Sequence, residues 1–342
     1  MKNVSFGLVL TIFGFVSSGA NAHHSFSSHF DPSKTYEMKG VLTKFVSRNP
    51  HSFFFVDVKG EDGKIENWEV ELGSKVHMSR MGINQDTFKV GDRISVSAWP
   101  NRKPNRKFVY GISFVDARGK RYGEVTKDDV ATAANSSAGV KAVFGRWYSP
   151  LPHLHNFPPL PLNEVGLLAE ASYIPALSPA TICEPATIPD LQISPYMTDI
   201  RMQGGKIEFI HEAYSVTRSI PLNSPQVAVE ETGWMGIAAA RIDGDELVIE
   251  SSKYPVSRWG LGAAAQPRGK KRVDYPSSPL KTVVERYSVS DDGTTLSLTF
   301  TVTDPVYLKE PYTGTMTARR VADDEPMYPF ECHVDAASRF VR

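Results

Sequence analysis

Histidines supply the most suggestive chemistry in this chain. His23, His24 and His29 cluster near the start, and His51 follows in Asn49-Pro50-His51. Residues 1–22 read as a leader. Lys2 precedes an apolar run from Phe6 to Val16, and Ser17-Ser18-Gly19-Ala20-Asn21-Ala22 ends in the Ala-x-Ala form that signal peptidase cleaves. Cleavage after Ala22 makes His23 the first mature residue, so its α-amine and imidazole can chelate one metal. Both groups lose their protons near neutral pH, and planar nitrogen-rich donor sets favour Cu(II). One expectation is therefore copper held by His23, with His24, His29 and His51 as further donors. The opposing reading is a terminal segment whose histidines have no ordered role and a His51 that caps a turn.

Other combinations are less specific. His153-x-His155 could share a metal on an extended strand, but Pro150, Pro152, Pro158 and Pro159 surround it, as expected of an exposed connection. Gly260-x-Gly262-x-x-Ala265 has the letters of a dinucleotide fingerprint without the context, since Gln266-Pro267 stands where a helix should begin. With Arg258, Arg268, Lys270, Lys271 and Arg272 it reads as a basic loop. Arg102, Lys103, Arg106 and Lys107 sit in or beside a connection between two strands, near the aromatic run Phe53-Phe54-Phe55. Alternating aromatics beside cations could stack bases or hold an anionic envelope component. Glu69 and Glu71 share a strand face and Glu66 does not, so no acid pair is complete. The chain has no Gly-x-Ser-x-Gly elbow, His-Glu-x-x-His helix or phosphate loop.

The elements that must position these residues are strands. Segments 36–46, 53–58, 64–72, 93–99 and 107–115 are rich in β-branched and aromatic residues bounded by Gly, Pro, Asn and Asp, with helical character over 73–84 between the third and fourth. Three strands, a helix and two strands is the layout of an OB-fold barrel. Residues 122–142 lose the strand pattern and read as a linker, so the expected units are 1–22, 23–121, 122–142 and 143–342. In the last unit Asp243-Gly244-Asp245 and Asp291-Asp292-Gly293 mark hairpins, with further strands at 206–210, 215–220 and 312–321 and one helical stretch at 162–171. Antiparallel strands in meander order predict a second barrel or strongly curved sheet, so the fold class is all-β.

Composition narrows the function. The chain has 342 residues, 41% of them hydrophobic, with 38 basic against 38 acidic side chains. Loss of the leader removes Lys2 alone among the charges, so a general nucleic-acid binder is excluded. No later segment is apolar for the length a membrane span needs, about 20 residues. Cys183 and Cys332 are the two cysteines. In an oxidising compartment they are expected as a disulfide, worth roughly 4–5 kcal/mol in the chain-entropy model. The expected location is the periplasm.

The mature start His23-His24-Ser25-Phe26, the strand at Lys39-Gly40-Val41, Asn49-Pro50-His51 and the Val90-Gly91-Asp92 turn together resemble a family of exported bacterial proteins classed only as a domain of unknown function. The resemblance covers about the first hundred mature residues and implies compartment and a small β-barrel, with no reaction attached. The second half looks like a companion domain of such proteins. Its opening Gly145-Arg146-Trp147 is similar to the start of lipocalin-like barrels, and Arg319-Arg320 suits the basic residue that packs on the Trp in that pattern. The reading that follows is a periplasmic binding protein holding a small apolar or aromatic ligand in the second barrel, against Trp147, Tyr214, Trp234, Tyr254 and Trp259. The OB-like domain would contact an envelope component. The alternatives are the copper protein and an enzyme acting on a lipid-like or aromatic substrate in that barrel.

Overall fold

The computed structural model describes residues 29–123, 139–149, 157–230, 233–262 and 273–339. The leader, His23, His24, most of the linker, His153, His155 and the cations of 268–272 lie outside the described residues. What is described is all-β, in two parts.

The first part contains β1 (Tyr36–Val46), β2 (Ser52–Lys59), β3 (Ile65–Leu72), helix α1 (Lys75–Arg80), β4 (Arg93–Pro100), β5 (Phe108–Val115) and the short β6 (Arg121–Tyr122). β1 pairs with both β2 and β4, which it can do because it bends at a bulge between Leu42 and Lys44. The order β3-β2-β1-β4-β5 closes when β3 pairs in parallel with β5, Val70 against Val109. This is the OB arrangement that the element order predicted. Period-two alternation sends Phe54, Val56, Val70, Leu72, Val96 and Val109 inward, and α1 caps the barrel with Met78. The Ser74 hydroxyl starts that helix by accepting the His77 N–H at 3.1 Å.

The second part contains β7 (Gly145–Tyr148), helix α2 (Glu164–Ala171), β8 (Met197–Gln203), β9 (Lys206–His211), β10 (Thr217–Pro221), β11 (Val227–Ala228), β12 (Ile237–Asp243), β13 (Glu246–Ser252), β14 (Ser257–Gly262), β15 (Tyr275–Ser277), β16 (Thr282–Val289), β17 (Thr295–Thr303), β18 (Tyr312–Val321) and helix α3 (Val334–Ala337). Ten strands form one antiparallel sheet in the order β10-β9-β8-β7-β18-β17-β16-β13-β12-β11. The sheet curls until its ends meet. Ser219 N–H donates to Val229 at 2.9 Å and Asn223 N–H to Ala240 at 2.8 Å, so β10 lies along the far edge. Leu296, Leu298, Phe300 and Val302 of β17 face inward, and Gly314 stands opposite Phe300 because any side chain there would enter its ring. Trp147 packs under Arg320, whose guanidinium carbon lies 4.1 Å from the ring centroid. The pairing suggested by Gly145-Arg146-Trp147 and Arg319-Arg320 is therefore made by Arg320. Two expectations change. Ser257–Gly262 is strand β14, paired with β15, because Ser257, Trp259 and Leu261 alternate into the interior. Tyr122 still belongs to the first core, through β6 and the Phe88 ring.

The Cys183–Cys332 disulfide forms and fixes the C-terminal tail to the second part. That tail then binds the first barrel. His333 N–H donates to the Asn49 carbonyl at 2.9 Å, Arg48 pairs with Asp335, and Lys75 lies 3.3 Å from Glu331. Arg339 sits over Phe53 and Phe55 and pairs with Glu69 at 2.5 Å, so those two rings stack on a guanidinium of the same chain. Deepest in the joint, Arg80 meets Glu212 with both side chains nearly inaccessible. Removing one member of such a pair strands the other charge, so Arg80→Ala should lower the free energy of urea unfolding by about 3–5 kcal/mol. Glu212→Ala should cost at least as much in the same measurement, because it also strands Met197 N–H and Tyr328 N–H.

Candidate functional site

One open end of the first barrel forms a hollow of about 470 Å³. Its floor is the inward-facing row that reaches this end, Tyr36 of β1, Trp68 of β3 and Val109 of β5. Tyr36 and Trp68 stack with ring centroids 5.0 Å apart and planes 20° apart. The rim comes from the β4–β5 connection, with Pro100, Asn101, Arg102, Pro104 and Arg106, and from Asp31 and Lys34 of the arm preceding β1. The arm is pinned there by Phe30, which is buried against Phe108 at 5.1 Å and Tyr110 at 5.8 Å. Asp31 N–H donates to the Pro100 carbonyl at 3.0 Å, and Arg102 N–H to the His29 carbonyl at 2.8 Å. In the connection itself, Lys103 N–H donates to Asn101 Oδ1 at 2.9 Å. Both rims are thus held by backbone and turn hydrogen bonds as well as by side-chain packing.

The charge at this mouth is unbalanced. Three cations line it, Lys34, Arg102 and Arg106, against the single carboxylate of Asp31. Lys107 bridges Glu66 at 2.7 Å and lies 5.0 Å from the Trp68 ring centroid, while Trp68 Nε1–H donates to the same carboxylate at 3.2 Å. The Lys107 hydrogen bond holds Glu66 below the usual carboxylate range, and the Ser33 hydroxyl does the same for Asp31. Lys34 and Arg102 approach Asp31 at 3.3 and 3.8 Å, and Arg106 and Lys103 have no acidic partner among the described residues. A flat floor with surplus cations at its edge suits an anion carrying an aromatic ring.

The histidines are distributed differently. His29 lies beside Phe30, with ring centroids 6.3 Å apart, at the rim. His51 pairs through Nδ1 with Glu71 at 2.9 Å, next to the joint with the tail. No three His, Cys, Asp or Glu side chains converge on a metal-sized site among the described residues. Asn49 is fully buried and works structurally, accepting Val76 N–H on Oδ1 at 3.3 Å and His333 N–H on its carbonyl.

Within the second barrel the predicted aromatics separate. Trp147 closes the β7–β18 end, donating from Nε1 to the Val143 carbonyl at 2.8 Å. Tyr254 and Trp259 are buried near Gly260, Tyr214 meets Trp259 edge-on at 6.4 Å, and Trp234 packs on the core margin. Between them the chain 186–193 enters the interior and brings Ile188, Leu191 and Ile193 into the core. It also meets buried charge. Glu285 accepts from Arg218 at 3.1 and 2.8 Å, from Tyr287 Oη at 2.6 Å and from Gln192 at 3.2 Å. Lys281 donates to Thr187 Oγ1, the Ile188 carbonyl and the Gly260 carbonyl at 2.9, 2.8 and 2.6 Å, with Tyr254 beneath it at 4.0 Å. An ammonium has three donors, and all three are used. These ions fasten the entering segment to the wall. By contrast Trp259 Nε1 and Tyr312 Oη are buried without a hydrogen-bond partner, while Tyr254 Oη lies beside Ser251.

Arg218, Glu285 and Lys281 were missed in the sequence, although the pattern held a signal. Glu285 lies between Val283 and Tyr287 on the inward row of β16, so an interior charge was legible once that row was aligned.

Burial pulls the Lys281 ammonium from its ordinary value down to about 7, against Asp190, Asp304 and Glu285, which favour the charge. Below about pH 7 folded and unfolded chains both carry this proton, whereas between about pH 7 and 10.5 the unfolded chain keeps it and the folded chain releases it. The lysine's contribution to stability therefore rises with pH. Relative to Lys281→Met, wild type should gain about 2 kcal/mol between pH 7 and 9 in denaturant titrations. Parallel pH profiles for the two proteins would show that Lys281 does not titrate in that range.

A search of curated proteins finds no match to the chain. Residues 13–110, which take in β1–β4, the start of β5, Asn49-Pro50-His51 and the mouth, match the model of a family of unknown function (DUF6152).

Proposed function

We propose that this is an exported binding protein that takes a small organic anion with a flat aromatic face at the mouth of its first barrel. The observation that carries this reading is the Tyr36–Trp68 stack flooring a hollow whose rim bears Arg102 and Arg106. A ring laid against the stack gains apolar burial and π contact, while its carboxylate, sulfonate or phosphate meets the guanidinium of Arg106 at the rim. The hollow has the size of ordinary small-molecule sites. No catalytic step is assigned, because the carboxylates nearby are held ionised by Lys107 and Ser33 and no nucleophile lines the floor.

Export is supported by the leader pattern and by the disulfide, which persists in an oxidising compartment. No helix among the described residues is long and apolar enough to cross a membrane. The periplasm is the compartment that fits both features. A second reading keeps the ligand in the second barrel, favoured by the unpartnered buried atoms of Trp259 and Tyr312, which a small polar-tipped aromatic compound could satisfy.

Titration with anilinonaphthalene sulfonate, a flat aromatic anion, distinguishes the two. Binding at the mouth should weaken about tenfold in Arg106→Ala, the loss of one charge-assisted contact worth roughly 1.4 kcal/mol, and should fall with added salt. Tyr312→Phe should leave that affinity unchanged. The opposite pattern, sensitivity to Tyr312→Phe and indifference to Arg106→Ala, would place the ligand in the second barrel. Mass spectrometry of protein recovered from the periplasmic fraction should show His23 as the first residue, and an intact Met1 would overturn the export reading.

A further inference from the structure

Strand β2 carries Phe53, Phe54 and Phe55 in succession, and alternation cannot send all three inward. Phe54 enters the core of the first barrel, so Phe53 and Phe55 stand on its outer face. Across the ladder to β3, Phe55 is registered with Glu69 and Phe53 with Glu71, which sets carboxylates beside the two rings. The backbone under Glu69 is fixed from both sides. It pairs with β2, and its N–H donates to the Lys107 carbonyl at 2.9 Å. Aromatic faces next to a carboxylate on a rigid ladder make a seat for an organic cation.

A guanidinium fills that seat. Arg339, which follows the C-cap Ser338 of α3, has its guanidinium carbon 4.4 Å from the Phe53 ring centroid and 5.6 Å from that of Phe55. Its Nε donates to Glu69 Oε1 at 2.9 Å, and its Nη2 lies 2.5 Å from Oε2. Two parallel bonds to one carboxylate require the planar fork of arginine, which the point charge of lysine does not present. The occupant is not sealed in, because the Arg339 side chain is 37% exposed and that of Glu69 25%. Exposed ion pairs hold little net free energy. A second arginine would restore the hydrogen bonds and ring contacts that it displaces, so exchange is opposed only by the tethering of Arg339 to the same chain.

We propose that Phe53, Phe55 and Glu69 form a binding site for the arginine side chain of a partner polypeptide, with Arg339 as the occupant in cis. A polypeptide source follows from what the same barrel does with the rest of the tail. It accepts main chain, His333 N–H donating to the Asn49 carbonyl at 2.9 Å, and it meets Glu331 with Lys75 and Asp335 with Arg48. Glu331, Asp335 and Arg339 recur at every fourth position, so this face reads a short acidic segment that ends in arginine. The site is on the outside of β2 and β3 and does not depend on the ligand assigned to the mouth.

The test uses an acetylated, amidated peptide copying residues 333–339, added to the full mature protein and followed by ligand-observed saturation-transfer NMR, which reads weak binding. The Arg339→Ala protein should bind the peptide about tenfold more tightly than wild type. Arg339→Gln, which keeps a polar side chain in place, should open the site in the same way. Lysine in place of the peptide's arginine, or Glu69→Gln added to Arg339→Ala, should each weaken binding about tenfold. The proposal is overturned if neither open variant binds the peptide while its circular dichroism matches wild type, or if binding ignores Glu69→Gln. Equal affinity for the arginine and lysine peptides also overturns it. Free arginine amide binding as tightly as the peptide would overturn the polypeptide source and assign the site to the amino acid.

Discussion

The ion pair between Arg80 and Glu212 is the contact on which the arrangement of the two barrels rests. Each side chain is almost wholly removed from water, a costly state for separate charges and tolerable when every lone pair is used. Glu212 uses its second oxygen for Met197 N–H at 3.1 Å and shares the first with Tyr328 N–H at 2.7 Å. Arg80 lies between the rings of Tyr148 and Tyr328. One residue from the cap helix of the first barrel is thereby enclosed by β7, β8, the turn after β9 and the C-terminal tail of the second. The disulfide matters here because it anchors the tail that supplies Tyr328 and His333. Without that anchor, the partners of Arg80 and Asn49 would be contributed by a loose chain end.

The same accounting separates structural charge from charge left for a ligand. In the second barrel Lys281 spends three donors on the entering segment, and Glu285 accepts from Arg218, Tyr287 and Gln192. Most of the donors and acceptors of these groups are taken up inside the chain. At the mouth of the first barrel the reverse holds. Those cations are exposed and individually ordinary, yet three of them line a hollow with one carboxylate and a stacked pair of rings.

Much of the fold was legible because it follows from local pattern. The alternation Thr295 to Thr303, the Asp243-Gly244-Asp245 turn and the three strands, helix and two strands of the first barrel each report on neighbours a few residues away. The cations of the β4–β5 connection were legible for the same reason. What could not be read was long-range partnership. Asn49-Pro50-His51 looks like a turn with a spare imidazole, and its actual roles depend on Glu71 and Val76, some twenty residues on, and on His333 in the tail. The floor was also hidden, since Tyr36 and Trp68 lie on different strands and stack only after β1 and β3 are brought round the same barrel. Gly260 and Gly262 misled in the opposite sense, because neighbouring cations drew attention from the alternation of Ser257, Trp259 and Leu261.

The two busy regions of the first barrel are mechanically connected by one strand. Early in β3, Glu66 and Trp68 serve the mouth; late in β3, Glu69 pairs with Arg339 of the tail and Glu71 with His51 beside the joint. β3 is paired along its whole length with β2, from Ile65 opposite Lys59 to Leu72 opposite Ser52, and from Glu69 to Glu71 with β5. Residues at the mouth therefore cannot shift along the strand without breaking a ladder that also carries the joint. The mouth is preorganised by the same hydrogen bonds that hold the barrels together, so a ligand entering it meets a floor whose ordering has already been achieved by folding.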